Sequence, residues 1–546
     1  MLSTMFVGFL MNPNLSYAIG VSIIIGILIW AWLEWNERSI KEKFHQQNIR
    51  YVRIPSFNIT LMSGKRFDLI ELDLARKYGK VFGGSMFSEP LIYVTDAELA
   101  QIICNREFTK FANRRVTNDP VWDNFIFSAN DERWKRLRAI VSPTFSSGKL
   151  RKIKYCIDEN VEKMREHLDR KISNNYDSSA MDVKKIIGAF TMDTIIQISM
   201  GTKINSLEDS NNLVIKYARR LFGRDVPWRD TIIFALAFKW PKILKLLKLK
   251  LQPEAMNYFR QCSMEIIRNN REKMQKMNSQ ESTFKASNFI ELILEVEQEQ
   301  MKSVQEQNGN SEKPFKHVTN DEMIAQCITF FTVGYDTTAT TITHTCYALA
   351  THPDKQEKLY KNIIETLDQL TRERTDGCND PYELITFDTL KRFEYLNAVL
   401  DETMRFFTLA TTTERVATED VRLETSDKKT WFDVKKGDVV RIPINYLHSD
   451  EKNFSHPEQF IPERFLPQEQ MQYGNFNKYA FMPFGSGPRK CIASNLALLE
   501  AKVALVHLFR MYRMSVHSKA TKIPLDFYIN AGILISKDVS LSVEKR

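Results

Sequence analysis

The chain has 546 residues, of which 43% are hydrophobic and 26% are charged, and its formal net charge is +9. A chain of this length and composition has ample material for a large buried core. The 76 basic residues are spread along the chain, so the charge does not indicate a nucleic-acid partner. The seven cysteines are widely spaced and form no CxxC pair, which argues against a disulfide framework or a zinc site and favours a reducing compartment.

The N-terminal stretch is apolar. The first 33 residues carry no charged side chain, which is enough for one tilted membrane span. Trp30, Trp32 and Trp35 mark one interface, and the basic residues after them place the rest of the chain on the cytoplasmic side. A cleaved signal peptide is the alternative, but the stretch lacks a basic start and a small-residue cleavage site. We divide the chain into an anchor (1–35), a linker (36–56) and a large remaining domain (57–546).

Two β-rich runs within residues 77–96 are joined across a turn and predict a hairpin, and Asp96 is placed to cap the helix that follows. Further on, Trp134 and Arg138 are four residues apart and share a helix face. An indole N–H beside a guanidinium makes a natural clamp for a carboxylate. The alternative is a solvated basic helix with one Trp anchored in the core.

Residues 242–248 carry a lysine at every third position beside leucines, which predicts a basic amphipathic helix that can lie on an anionic bilayer. A plain surface helix fits the pattern equally well. Residues 297–316 are rich in Gln, Glu, Lys and Asn and have few apolar side chains to bury. We expect a mobile loop there.

Thr319 and Glu322 have the spacing of a capping box and predict the start of a long helix. Inside it, Gly334 costs about 1 kcal/mol of helix stability relative to Ala and is followed by Asp336 and Thr337. The Thr337 hydroxyl can donate to a carbonyl of the preceding turn and widen the helix. The two polar side chains are then candidates for proton transfer, with an exposed helix face as the alternative.

Glu402 and Arg405 are three residues apart, a common spacing for a helix-surface ion pair and a weak signal alone. A stronger signal lies in residues 481–493, where two Gly and two Pro exclude helix and regular strand. This loop ends at Cys491, just before a predicted helix, where backbone N–H groups, the helix dipole and Arg489 favour a thiolate. Such a thiolate suits a haem iron, whereas a buried structural cysteine is the alternative.

The loop Phe484-Gly485-x-Gly487-x-Arg489-x-Cys491 resembles the haem-binding loop of the cytochrome P-450 family of haem-thiolate monooxygenases. Residues 134–138, 333–338, 402–405 and 460–465 resemble further motifs of the family in the family's order. Residues 142–150 resemble its microsomal subgroup of drug- and steroid-oxidising enzymes and thromboxane synthase. The chain departs from the family pattern at Ala493, where the family usually has Gly, and at Val333, where it prefers Ala or Gly. It also lacks the Pro that usually follows Arg405 by a few residues and has Phe407 and Thr408 there.

The resemblance implies a mainly α fold with small β-sheets, one N-terminal transmembrane helix and a haem-thiolate catalytic domain. It implies a haem whose axial iron ligand is Cys491. Asp336 and Thr337 would deliver protons during dioxygen cleavage, and Thr411–Thr413 with Gly532–Leu534 would line the substrate cavity. The other residues implied to bind the haem are Arg114, Trp134, Arg138, Arg415, Phe484 and Arg489. A charged network that locks the proximal core would consist of Glu402, Arg405 and Arg464.

The function implied is insertion of one oxygen atom of O2 into a small apolar organic substrate. Electrons would come from NADPH through a flavin reductase with an acidic surface that docks near Lys490 and Lys135. The location implied is the endoplasmic reticulum membrane, with a single span and a cytoplasmic catalytic domain. Two alternatives stand beside this function. One is a haem-thiolate isomerase of peroxides, disfavoured by Asp336 and Thr337, and the other is a degenerate haem binder without catalysis.

Overall fold

Helices account for most of the fold. The computed structural model describes residues 13–54, 66–86, 89–117, 119, 121–174, 180–209, 212–221, 229–230, 232–233, 236, 246–278, 288–306, 318–473, 476–517, 521–528 and 532–546. The α-helices are α1 Pro13–Gln46, α2 Phe67–Tyr78, α3 Ala97–Gln101, α4 Asp131–Val141, α5 Ser147–Asn174, α6 Val183–Met200, α7 Leu213–Leu221, α8 Pro253–Asn278, α9 Phe289–Glu306, α10 Asn320–Thr351, α11 Pro353–Glu373, α12 Pro381–Leu384, α13 Glu394–Phe406, α14 Ile444–Ser449, α15 Gln470–Tyr473 and α16 Ser494–Met511.

Three small sheets accompany the helices. Their strands are β1 Val81–Met86, β2 Glu89–Val94, β3 Met181–Asp182, β4 Thr412–Val416, β5 Val421–Glu424, β6 Trp431–Val434, β7 Val439–Pro443, β8 Tyr512–Val516 and β9 Ser540–Lys545. The four-stranded sheet has the order β1-β2-β7-β4, the three-stranded sheet the order β3-β9-β8, and β5 pairs with β6. A π-helical turn, Ile102–Arg106, follows α3. The prediction of a mainly α fold with small sheets is confirmed.

The core is built around α6 and α10. Helix α6 buries every residue except Lys185, as expected for a helix that is apolar on all sides. The two helices approach closely at Gly334, where a Cβ atom would lie 2.5 Å from Cγ1 of Ile195. The glycine therefore lowers helix propensity but permits close packing of α10 against α6. Because the helix is α-helical from Asn320 to Thr351, the widened turn that we expected beside Gly334 is not seen.

Several local predictions are confirmed. Strands β1 and β2 form the antiparallel hairpin, although its predicted first residues, 77–78, end α2 instead. The Asp96 side chain accepts hydrogen bonds from the backbone N–H groups of Glu98 and Leu99, both at 3.1 Å. Thr319 and Glu322 form the capping box of α10.

Two predictions need correction. Residues 297–306 are helical because α9 continues to Glu306, so the predicted loop is wrong there. Glu, Gln, Met and Lys are good helix formers, and the first helix breaker, Gly309, comes later. In the predicted basic helix, Lys242 and Lys245 lie outside the described residues. Lys248 lies in a turn with φ of +52°, so a regular helix does not continue through it.

Helix α1 extends from the predicted anchor into the predicted linker and ends at Gln46. Among the described residues, no helix meets the length and apolarity required to cross a membrane. The anchor therefore stays a prediction.

Candidate functional site

The loop that ends at Cys491 follows a path that requires glycine. Gly485 and Gly487 both have φ of +74°, a conformation that side chains with Cβ rarely adopt. At Gly487 a Cβ atom would also lie 1.8 Å from the backbone oxygen of Cys104, in the π-helical turn. The backbone N–H of Cys491 donates to the carbonyl of Phe484 at 2.9 Å and closes the loop. The loop thus presents Cys491 from a tightly fixed backbone.

The electrostatic setting of Cys491 differs from the prediction. Burial raises the pKa of its thiol, although the backbone N–H of Ala493 and the charge of Arg138 act to lower it. The protein alone therefore does not favour the thiolate, contrary to our expectation from the helix N-terminus and Arg489. A bound metal ion deprotonates a coordinating thiol outright, so an iron would supply the charge that the protein environment withholds.

Four predicted haem-binding arginines lie near one another and near this loop; we call Arg114, Arg138, Arg415 and Arg489 the arginine cluster. Burial, then the charges of Arg114 and Arg415, lowers the pKa of Arg489 to about 9. Burial and the charge of Arg415 likewise lower the pKa of Arg114 to about 10. The structure therefore concentrates positive charge at this place at a cost to the apoprotein.

The hydrogen bonds of the cluster are incomplete. Arg114 donates to the carbonyl of Phe127 at 2.9 Å, and Arg489 donates to that of Ala112 at 2.9 Å. Within the described part of the chain, Nε of Arg114, Nε of Arg415 and Nη1 of Arg489 are buried and have no hydrogen-bond partner. No carboxylate among the described residues forms an ion pair with any of the four guanidinium groups.

Buried guanidinium nitrogens without hydrogen-bond partners, on side chains without counter-ions, call for an anionic ligand. A haem brings two propionate carboxylates, which are acceptors for guanidinium groups in bidentate geometry. The cluster therefore fits the propionate side of a haem, and Cys491 fits the iron. Trp134 belongs to the same place, because the guanidinium carbon of Arg489 lies 4.1 Å from the centre of its ring.

The two predicted proton-transfer residues lie midway along α10. Asp336 is buried, and Thr337 is half-buried with its hydroxyl donating to the carbonyl of Val333 at 2.7 Å. The hydrogen bond expected from the sequence is thus present, although the helix does not widen. Of the predicted cavity-lining segments, Thr411 and Gly532 lie side by side, joined by a backbone hydrogen bond of 2.9 Å.

The predicted charged network is brought together completely. Arg405 binds the Glu402 carboxylate at 2.8 and 2.7 Å, and Arg464 binds it at 3.1 Å. The remaining guanidinium nitrogens donate to backbone carbonyls; those of His448 and Pro457 accept from Arg405 at 2.9 Å. All three side chains are at most 2% exposed. The network joins α13 to the segment that follows α14.

Asn130, the residue that precedes α4, was not predicted from the sequence. Its side-chain oxygen accepts from the backbone N–H of Arg114 at 2.9 Å and from Arg489 at 3.5 Å, and its amide donates to the Arg114 carbonyl at 2.7 Å. Asn130 thus connects two arginines that are far apart in the sequence. Its position as a helix N-cap was a visible signal, but its partners were not.

A glycine-dependent loop that presents a cysteine beside arginines without counter-ions defines a candidate haem-thiolate site. Comparison with known proteins gives the family. Residues 53–539 match the family model described as Cytochrome P450. The chain is 30% identical over 497 residues to Cytochrome P450 3A7 of Homo sapiens, covering 90% of each chain. It is 28% identical over 509 residues to Cytochrome P450 9b2 of Drosophila melanogaster, covering 92% of this chain and 93% of the relative.

The chain belongs to the cytochrome P450 family, and the recognition of this family from its sequence motifs is confirmed. As a member it is an oxidoreductase of the monooxygenase class and binds haem through a cysteine thiolate. Membership also implies a redox partner, an organic substrate and dioxygen.

Proposed function

We propose that the chain is a membrane-anchored haem-thiolate monooxygenase that inserts one oxygen atom of O2 into a small apolar organic substrate. Its electrons come from NADPH through a flavin reductase. Cys491 would hold the haem iron through its thiolate. The observation that carries the proposal is the arginine cluster, whose buried nitrogens without partners lie beside the cysteine loop.

The residues hold the cofactor at two ends. Arg114, Arg138, Arg415 and Arg489 bind the propionates, and Trp134 supports Arg489 through its ring. Phe484 lies on the loop that carries Cys491, and its carbonyl fixes the backbone of that residue. Bound haem supplies the redox chemistry that activates dioxygen.

Asp336 and Thr337 are the residues that deliver protons. The Thr337 hydroxyl donates its proton to the carbonyl of Val333, and its oxygen can still accept a hydrogen bond. To pass its proton on, the hydroxyl must turn away from that carbonyl, and its oxygen then accepts a replacement proton. Asp336, one residue earlier and buried, is the second polar group of the proposed proton path.

The charged network of Glu402, Arg405 and Arg464 has a structural role. Both guanidinium groups share the Glu402 carboxylate and donate their other hydrogens to backbone carbonyls, and together the three residues fix α13 and the residues before the cysteine loop. It holds the proximal side in place before haem enters.

Electron transfer needs a docking surface on the side of Cys491. Lys490 is exposed beside the ligand, and Lys135 is exposed on α4, where it pairs with Glu132 at 2.7 Å. Both can meet an acidic reductase. Replacing Lys135 with Glu should raise the reductase concentration needed for half-maximal turnover and should leave the haem spectrum unchanged, because Lys135 is exposed on α4.

The membrane arrangement rests on the sequence. The apolar stretch before Glu34 and the basic residues after it favour a single span in the endoplasmic reticulum membrane with the catalytic domain in the cytoplasm. Removing residues 1–35 should release the protein from membrane pellets into the supernatant. Retention in the pellet after carbonate washing would contradict an anchor in these residues alone.

The function is tested with the full chain in vesicles, together with a microsomal flavin reductase, NADPH and labelled dioxygen. We expect one labelled oxygen atom in the product of an apolar substrate and none without reductase. Conversion of a peroxide without NADPH would favour the isomerase. Substrate-induced spectral change without NADPH or O2 consumption would favour the non-catalytic binder.

A further inference from the structure

Arg114 and Arg415, two members of the arginine cluster that are far apart in the sequence, lie on neighbouring extended segments, of which the second is β4. The backbone N–H of Val416 donates to the carbonyl of Asn113 at 2.8 Å, in an antiparallel bridge. Continuing this register places Arg114 opposite Arg415 and Arg115 opposite Glu414. Because side chains alternate along an extended segment, Arg114 and Arg415 share one face of the pair, and Arg115 and Glu414 share the opposite face.

The two faces have opposite charge balance. On one face Arg114 and Arg415 bring like charges together, and the charge of Arg415 lowers the pKa of Arg114. Like charges directly opposite one another destabilise a strand pair. On the other face Arg115 binds Glu414 through two hydrogen bonds, of 2.8 and 2.7 Å. This bidentate pair joins the same two segments that the like charges push apart.

The pair belongs to a larger buried arrangement. Arg441, opposite Glu414 on β7, donates to Glu414 at 2.5 Å and to Glu71 of α2 at 2.5 and 3.1 Å. The Arg441 and Glu71 side chains are 4% and 0% exposed. The four residues carry two positive and two negative charges, so they compensate one another without any ligand.

We propose that Arg115, Glu414, Arg441 and Glu71 form a brace that holds Arg114 beside Arg415 in the geometry needed to bind the haem propionates. The inference rests on the proposed binding of haem by these two arginines. The brace acts through Arg114 and Arg415, so its members are positioning residues. The attraction between Arg115 and Glu414 on one face offsets the repulsion between Arg114 and Arg415 on the other. The two arginines are therefore positioned before the propionates bind.

The test measures the rate of haem loss from the holoenzyme to an excess of a haem-scavenging apoprotein. Glu414→Gln should accelerate haem loss by about tenfold, in line with the effect of residues that orient ligands. Asp433→Asn is the matched control, because Asp433 binds Arg422 through the same bidentate geometry in the β5–β6 hairpin, at 2.8 and 3.1 Å. The control should change the rate by less than about twofold.

A double-mutant cycle separates positioning from general stability. With Arg415→Gln, the brace has no like-charge pair to hold, so Glu414→Gln should then accelerate haem loss by less than about threefold. The brace is overturned if the effects of the two substitutions on the rate of haem loss multiply independently. It is also overturned if Glu414→Gln loses haem at the same rate as the Asp433→Asn control. If Glu414→Gln does not fold, Arg115→Lys, which keeps the charge but loses the bidentate geometry, replaces it in the cycle.

The cycle also separates this inference from the proposed function. If Arg114→Gln and Arg415→Gln do not accelerate haem loss, the arginines do not bind the cofactor, and both proposals fail at these residues. If they accelerate it while Glu414→Gln does not, only the brace is overturned.

Discussion

Two groups of arginines in this protein differ in how their charges are compensated. In the charged network, Arg405 and Arg464 share the Glu402 carboxylate and donate their other hydrogens to backbone carbonyls. In the arginine cluster, three buried guanidinium nitrogens have no partner among the described residues, and burial with mutual repulsion lowers the pKa of Arg489 to about 9. One group is complete without a ligand and the other is not.

This difference distinguishes arginines that stabilise the fold from arginines that bind a ligand. A buried ion is costly unless it is paired and hydrogen-bonded. A complete network stabilises the fold it belongs to, whereas an incomplete one lowers the stability of the empty protein and is compensated by an anion. Burial and residue type alone do not distinguish the two groups; the partners of each nitrogen do.

The largest effect is expected in the complete network. Glu402→Gln leaves two buried guanidinium groups without a counter-charge and should lower the free energy of unfolding by about 3–5 kcal/mol, measured by urea denaturation. Asp388→Asn, which removes an exposed bidentate partner of Arg151, should leave the unfolding midpoint unchanged. Equal effects of the two variants would contradict a structural role for the network.

The cysteine loop gives the next effect. Gly487→Ala adds a Cβ that would lie 1.8 Å from the Cys104 oxygen at φ of +74°, so it should displace the loop and reduce haem content sharply. Gly377→Ala is the control, because φ there is +68° and nothing lies within 4 Å. The Gly377→Ala variant has only the backbone strain, which costs about 1 kcal/mol of stability, and should keep its haem. Full haem content in both variants would show that the close contact is dispensable.

Arg415→Gln should have opposite effects on the two forms of the protein. In the apoprotein it removes a repelling charge and should raise the urea midpoint. In the holoenzyme it removes a propionate partner and should accelerate haem loss by about tenfold. A lower urea midpoint for the Arg415→Gln apoprotein would instead show that Arg415 stabilises the fold, as Arg405 and Arg464 do.

The smallest structural effect is expected at Thr337. Thr337→Ala should leave stability and haem content unchanged but divert reducing equivalents to hydrogen peroxide, with product formation lowered about a hundredfold. Thr341→Ala is the control one turn later, since its hydroxyl makes the same kind of bond, to the Thr337 carbonyl at 3.0 Å. Equal coupling in both variants would exclude a proton-transfer role for Thr337.

Part of the fold was predictable from short-range sequence patterns. The capping box at Thr319 and the hairpin of β1 and β2 depend on neighbours in sequence, and both are present. The contacts of Gly334 with Ile195, and of Arg115 with Glu414, were not predictable, because they depend on how distant segments are placed against each other. From the sequence alone, Gly334 indicated a widened helix, whereas in the structure it permits the close packing of α10 against α6.

Ligation of the haem iron by Cys491 is tested most directly by the absorbance spectrum of the ferrous protein with carbon monoxide, for the wild type and Cys491→Ser. A strongly red-shifted Soret band in the wild type that disappears in the variant is the result we predict, because it requires a thiolate from Cys491 on the iron. A band at the position of an imidazole-ligated haem, or the same red-shifted band in Cys491→Ser, would contradict Cys491 as the ligand.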